Sequence, residues 1–403
     1  MTKHLPIVFA ALLLGACSVS QDLETAAAPA AQTPAKRDVA AYAQSMMGIS
    51  VLDVDRFEFT AQIAGCPETS MARSLPAKDS KLDQAISKAK SYSDTMGGTS
   101  LLVLIDGKIV HESYDGGNSA SGFTDSYSMQ KSLVAITFAA ALDDKIISSL
   151  DEAVGPYIPQ WSDDERASLS FRDLLNMASG QTPAPFGSPE SLALMWSDDI
   201  DAVALATQSQ GPAGQQFWYL NANSQVAGYA LNNALKQAGE TGYIDYFERK
   251  IWCPVGNGPA KMWLDREGGS PHYFSGMFAT GRAWARIGEL LRNKGNVGDA
   301  QVVSTDSLEA ILAPSDVNPN YAAHIWLGKE WQARRQYNPT PAAAVIQSEP
   351  YLADDVIFFD GFGGQRVYVV PSARLTIVRT GKVSFAFDDA VIPNAVLAVL
   401  QDS

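Results

Sequence analysis

The stretch YSMQKS, residues 127–132, puts Ser128 three residues ahead of Lys131, directly before the apolar run LVAITFAAAL. A serine hydroxyl is a weak nucleophile until a neighbouring base takes its proton, and a lysine amine becomes such a base when burial lowers its pKa. On the first turn of a helix, residues three apart share a face, so the amine can reach the hydroxyl. Backbone N–H groups at the helix start add partners for negative charge. A capping serine with a lysine snorkelling to solvent accounts for the spacing equally well. The same spacing recurs at Ser87 and Lys90 in KLDQAISKAKSYSD, a largely polar amphipathic stretch where a solvent-facing lysine is the expectation.

Two further stretches carry chemistry. In FWYLNANSQVAGY, Tyr219 is the one tyrosine of the fourteen followed two places on by asparagine, Asn221. A tyrosine beside a lysine ammonium ionises more readily, and its phenolate can serve as general base for a serine. Asn221 can hydrogen-bond the lysine and a substrate carbonyl. An aromatic core patch followed by a polar turn is the plainer reading. In DGFGGQRVYVVP, residues Gly361, Phe362, Gly363 and Gly364 precede a strand-like run and let the backbone approach a ligand closely; an ordinary turn would look the same. Other chemistries find no support. No G-x-S-x-G elbow, P-loop or H-E-x-x-H occurs, and the four histidines, His4, His111, His272 and His324, have no carboxylate or metal-ligand spacing around them.

The elements that must position these residues are legible in outline. TSLLVLIDGKIVHESY (99–114) is two β-like runs about an Asp-Gly turn, a hairpin signal. SMQKSLVAITFAAALDDKI predicts a helix. Helical patterns then dominate from about 150 to 295: FRDLLNMASG, SQVAGYALNNALKQAG, IDYFERKI and GRAWARIGELLRNKG. β-like runs return in DDVIFFDG, QRVYVVPS and RLTIVRTG, and DDAVIPNAVLAVLQ predicts a closing helix. This layout predicts a sheet assembled from both ends of the chain (41–150 and 296–403), a helical lobe between them (151–295), and a cleft where the two meet.

In the order S-x-x-K, Y-x-N, Gly-rich segment, the motifs resemble the serine β-lactamase-related family. They are most similar to its class C-like branch, which includes esterases, D-aminopeptidases and 6-aminohexanoate-dimer hydrolase. FRDLLNMASG, SGMFATGRAWARIGELLRNKG and GGQRVYVVPSARLTIVRTG resemble supporting blocks of the same family, so the likeness runs from about residue 85 to 403. It implies a penicillin-binding-type α/β fold: an antiparallel-rich sheet flanked by helices, plus an all-α lobe. It implies Ser128 as the acylated nucleophile, Lys131 and Tyr219 as its activating pair, and Asn221 assisting. The N–H groups of Ser128 and of the Gly-rich segment, best matched by Phe362, would form the oxyanion hole, and no metal or cofactor is implied. The family's K-T-G is absent. DGFGGQ stands in its place, with acidic Asp360 where a cation holds a β-lactam carboxylate, and RTG (379–381) falls at the end of the last strand. The expected function is hydrolysis of a small-molecule ester or amide. A β-lactamase or D-Ala-D-Ala peptidase, and a catalytically silent wall-binding lipoprotein, are the alternatives.

The amino terminus sets an expected location. MTKHLPIVFAALLLGAC has one lysine before an apolar stretch too short to span a bilayer, and LLGAC resembles a bacterial lipoprotein box. That resemblance implies cleavage after residue 16, acylation of Cys17 and, with Ser18 following, an outer-membrane anchor facing the periplasm. Residues 17–40, rich in Ala, Pro, Thr and Gln, read as a flexible tether. In an exported chain Cys66 and Cys253 can pair as a disulfide or persist as two buried thiols. A net charge of −14 without a long basic run argues against nucleic acid as a partner. The 46 % apolar and 18 % charged composition excludes a wholly disordered chain.

Overall fold

The computed structural model describes residues 37–339 and 344–401. Cys17, the signal segment and residues 18–36 of the expected tether lie outside the described residues. A short helix, Val39–Ser45, already begins within the stretch read as tether, with the Asp38 carboxylate accepting the Ala41 N–H at 3.0 Å. From Arg37 onward the chain is one compact unit.

Helix α1 (Lys81–Thr95) is capped by Ser80 and buries Ala85, Ile86 and Ala89 along one stripe. Strands β1 (Gly98–Ile105) and β2 (Lys108–Tyr114) form the expected hairpin. Asp106 and Gly107 both take positive φ, 54° and 74°, as a tight hairpin turn requires. Helix α2 (Gln130–Asp143) is buried on every side from Gln130 to Ala141, which is why its sequence has no polar stripe. Helix α3 (Asn221–Gln237) lies in the helical region, and α4 (Gly281–Arg292) follows it. The chain closes with β3 (Trp326–Leu327), β4 (Ile357–Gly361), β5 (Gln365–Val370), β6 (Leu375–Gly381) and α5 (Val391–Leu400).

The main sheet is antiparallel throughout, in the order β2-β1-β6-β5-β4-β3. Both ends of the chain therefore build it, and β6 lies at its middle, paired with β1 on one side and β5 on the other. Both faces are covered. Leu102, Leu104, Val367, Val369 and Val378 belong to the core shared with α2 and α4, while Leu101, Val103, Tyr368, Val370 and Ile377 face α1 and α5. Burial on both faces explains the near-continuous apolar runs in these strands. The sequence reading places α4 in the helical lobe. In the structure α4 packs on β5 and β6, and Gly288 allows the approach: a Cβ there would come 2.6 Å from Thr376 and 3.1 Å from Val367.

A second antiparallel sheet joins four short segments in the order Thr60–Ile63, Ala260–Trp263, Met277–Ala279, Thr124–Asp125. Its last strand stops three residues before Ser128. Beside it, Cys66 and Cys253 are joined as a disulfide with Cα atoms 5.0 Å apart.

Candidate active site

Ser128 sits in a 3₁₀ turn, Tyr127–Met129, that leads into α2. The turn is pinned to the second sheet: the Ser126 N–H donates to the Met277 carbonyl at 3.0 Å, and the Met277 N–H donates to Ser126 Oγ at 3.0 Å. The Tyr127 N–H donates to the buried Asp125 carboxyl at 2.9 Å. Burial pushes that carboxyl up to about 7. Tyr127 itself is held at φ 45°, a left-handed conformation uncommon for a non-glycine residue and costly by about 1–3 kcal/mol. The surrounding bonds over-determine it, and the result is a half-buried Ser128 at the edge of the helical core.

Lys131, the second residue of α2, is only 1 % exposed. Its Nζ lies 3.1 Å from Ser128 Oγ, 2.8 Å from Asn221 Oδ1 and 3.0 Å from the Phe274 carbonyl oxygen. Two of these neighbours can only accept; the hydroxyl can do either. An ammonium would donate to all three; a neutral amine gives its two hydrogens to Asn221 and Phe274 and turns its lone pair to the serine proton. Burial pushes the amine well below its ordinary value, with the Asp360 carboxylate acting the other way.

Tyr219 stacks on Trp326, ring centroids 6.0 Å apart, and packs against Tyr321 and Tyr337. Its N–H donates to the Tyr337 carbonyl at 3.0 Å. The Lys131 amine lies 4.8 Å from its ring centre. Burial, helped by the Asp360 carboxylate, raises the phenol, and Ser128 is close enough to its hydroxyl to lower it in part. Burial thus favours the neutral form of both groups, the opposite direction from the phenolate and ammonium that the sequence reading expects.

The third segment closes the site. Gly361 ends β4 directly against the nucleophile turn, where a Cβ would lie 2.4 Å from the Ser126 carbonyl oxygen. Phe362, Gly363 and Gly364 form the β4–β5 turn, with Gly363 at φ 72°. The ring of Phe362 meets that of Tyr127 edge-on at 5.9 Å. Asp360 turns away from the cleft. It is buried with Arg335, Arg366 and Asp389 in a four-charge cluster: Arg335 Nη2 lies 2.7 Å from Asp360 and 2.8 Å from Asp389, and Arg366 makes 2.7 and 2.8 Å contacts to the same pair. Arg366, a possible substitute for the absent K-T-G cation, is thus fully committed inside the protein. Arg379 of the RTG stretch is also buried, donating to the Gly364 carbonyl at 2.9 Å and bracing the glycine turn from behind.

The structure therefore brings Ser128, Lys131, Tyr219, Asn221 and the Gly361–Gly363 segment to one place. Ser87 is exposed on α1, and Lys90 pairs with Asp94 and Asp115 at 2.6 and 3.0 Å. His272 and His324 are buried against backbone carbonyls and lowered to about 3 by burial. His111, in β2, bonds Ser113. Sequence reasoning missed the Phe274 carbonyl, which as a backbone group leaves no side-chain signal. It also missed Arg335 and Tyr337, which come from a small hairpin, Arg334–Gln336 with Ala344–Ile346, whose strands are too short to show a period. Among the described residues no cluster of His, Cys, Asp or Glu could hold a metal ion, and no helix is long and apolar enough to cross a membrane.

An antiparallel sheet between helices, with a serine and a lysine one turn apart at the start of a buried helix, defines a penicillin-binding-type α/β fold. A family model described as Beta-lactamase matches residues 82–399, and the chain belongs to that family, whose members are typically serine hydrolases. A protein of Bacillus anthracis assigned as a 6-aminohexanoate-dimer hydrolase has a similar structure, with TM-score 0.69 and 16 % identity over 87 % of this chain and 93 % of its own. A penicillin-binding protein homologue from Caulobacter crescentus gives TM-score 0.59 at 14 % identity, covering 83 % of this chain and 100 % of that one. A family VIII carboxylesterase gives 0.59 at 16 % identity, with the same two coverages. At such identities the likeness is one of fold. No curated protein sequence matches the chain.

Proposed function

We propose that the protein is an exported, lipid-anchored serine hydrolase that cleaves an ester or amide through an acyl-enzyme on Ser128. The observation that carries this reading is the environment of Lys131 Nζ: two obligate acceptors and one serine hydroxyl, in a place where burial favours the neutral amine. Lys131 takes the Ser128 proton as Oγ attacks the carbonyl carbon. The Ser128 and Phe362 N–H groups receive the developing oxyanion. Asn221 turns its amide oxygen to Lys131, so its NH₂ end is the one that meets a substrate carbonyl. Tyr219, whose phenol burial keeps neutral beside Ser128, passes the proton from Lys131 to the leaving group. Water then attacks the acyl-enzyme by the same path in reverse.

An ester or amide without a carboxylate suits the site better than a β-lactam. The third motif has no cation, and both arginines near it are paired with carboxylates. The ester- and amide-cleaving names among structures of like fold, 6-aminohexanoate-dimer hydrolase and carboxylesterase, support the same preference. The location is proposed from LLGAC alone, through acylation of Cys17. Labelling of purified protein by a fluorophosphonate, followed by mapping of the modified residue, tests the chemistry. Modification at Ser128 with turnover of p-nitrophenyl acetate is the expected result; an unlabelled, inactive protein would make it a binding lipoprotein. Efficient hydrolysis of a chromogenic cephalosporin would overturn the substrate preference.

A further inference from the structure

Large apolar side chains are rarely left contiguous and exposed on a soluble domain unless something binds there. Three phenylalanines from distant parts of this chain meet at the mouth of the site. Phe186 is 89 % exposed, Phe385 76 % and Phe362 37 %. Phe362 is at the centre: Phe186 stacks on it at 6.0 Å with rings 23° apart, and Phe385 meets it edge-on at 5.4 Å. Tyr127 closes the inner side at 5.9 Å. Exposed Val383 extends the patch over Gly363. The backbone beside each outer ring is anchored. The Ser384 N–H donates to the Gly363 carbonyl at 3.1 Å beside Phe385, and the Gly187 N–H donates to Ser191 Oγ at 3.1 Å beside Phe186.

The patch is continuous with the reacting centre, because Tyr127 adjoins the nucleophile and Phe362 adjoins Gly361 against the nucleophile turn. Its own side chains carry no charge; Arg366 and Arg379 are buried, and the exposed Lys382 stands beside Val383 at its rim. We infer that Phe186, Phe362 and Phe385 form a subsite for an apolar group of the substrate, an alkyl chain of several carbons or an aryl ring, joined to the scissile carbonyl. The substrate class is then a partly apolar ester or amide. This rests on the proposed acyl-enzyme chemistry at Ser128 and narrows its substrate.

The test uses two series of esters, one lengthening the acyl chain from two to eight carbons and one lengthening the alcohol. Wild-type kcat/KM should rise with chain length in at least one series, by about twofold per methylene, roughly half of what full burial of a methylene supports. The double variant Phe186→Ala, Phe385→Ala should flatten that rise while keeping turnover of the two-carbon ester within about twofold, since neither ring touches the reacting atoms. Leucine at both positions should restore most of the slope. Equal slopes in wild type and double variant, with fluorophosphonate labelling of Ser128 intact, would overturn the subsite and leave the hydrolase reading standing. Loss of labelling in the wild type would sink the hydrolase reading itself. Lipid-free protein that sediments with phosphatidylcholine vesicles only while the rings are present, at unchanged slopes, would also overturn the subsite and make the patch a membrane contact.

Discussion

Ser128 and Ser87 share the spacing to a lysine and little else. Ser87 is exposed in mid-helix, and Lys90 is paired with carboxylates at the surface. Ser128→Ala should therefore abolish ester turnover, while Ser87→Ala should leave it within about twofold, as surface substitutions usually do. Equal losses measured in the two variants would mean that spacing and not context was the signal. The protonation of Lys131 gives a second expectation. Its amine is lowered by burial, so the neutral base is present above that lowered value and lost as pH falls through it. Acylation, read from the burst of p-nitrophenol, should show one acid limb. The Asp360 carboxylate holds the amine up, so Asp360→Asn should move that limb to lower pH; a limb that moves upward would refute the assignment of the base. The serine, lysine, tyrosine and asparagine that the structure brings together were all visible in the sequence, because each has a side chain of distinctive type. The ionisation of the Tyr219–Lys131 pair was not visible, since it depends on how deeply neighbours bury both groups.

Among the elements, the hairpin β1–β2, strands β4 to β6, helix α1 and the closing helix were legible because each is long or strongly patterned. The four-stranded sheet and the hairpin carrying Arg335 were not: their strands have two to four residues and exist only through partners distant in sequence. The docking of α4 was also hidden, although one ionic contact fixes it. Glu112 at the end of β2 accepts two bonds from Arg282 at the start of α4, at 2.6 and 2.9 Å, and its side chain is 4 % exposed. Although burial alone raises it, bonds from Arg282, Tyr114 and Arg73 bring the carboxyl down to about 2. A carboxylate lowered in the folded state stabilises it above the unfolded value and loses that contribution as pH falls through the folded one. Glu112→Gln should thus cost about 2 kcal/mol near neutral pH and little near pH 2. Urea melts at several pH values would show it, and a loss independent of pH would contradict the ionic account.

On the scale of the whole molecule, the disulfide ties the strand segment after residue 60 to the helical region near residue 253, across a sequence separation of 187. Replacing both cysteines by alanine should lower stability by about 2–4 kcal/mol, chiefly by freeing the unfolded chain. Chemical denaturation of oxidised and double-alanine proteins measures this, and coincident midpoints would show the bridge to be silent. The position of β6 has a different kind of consequence. The strand made last, residues 375–381, is the one that stands in the middle of the sheet and joins β1 to β5. A ribosome must therefore deliver almost the entire chain before the sheet can close; until then β1 and β2 are an isolated hairpin, which is marginal in water. In a nascent chain this sheet therefore stays open for nearly the whole of synthesis. If the protein is exported as proposed, such lateness would keep the chain in the open state that a translocation pore can thread.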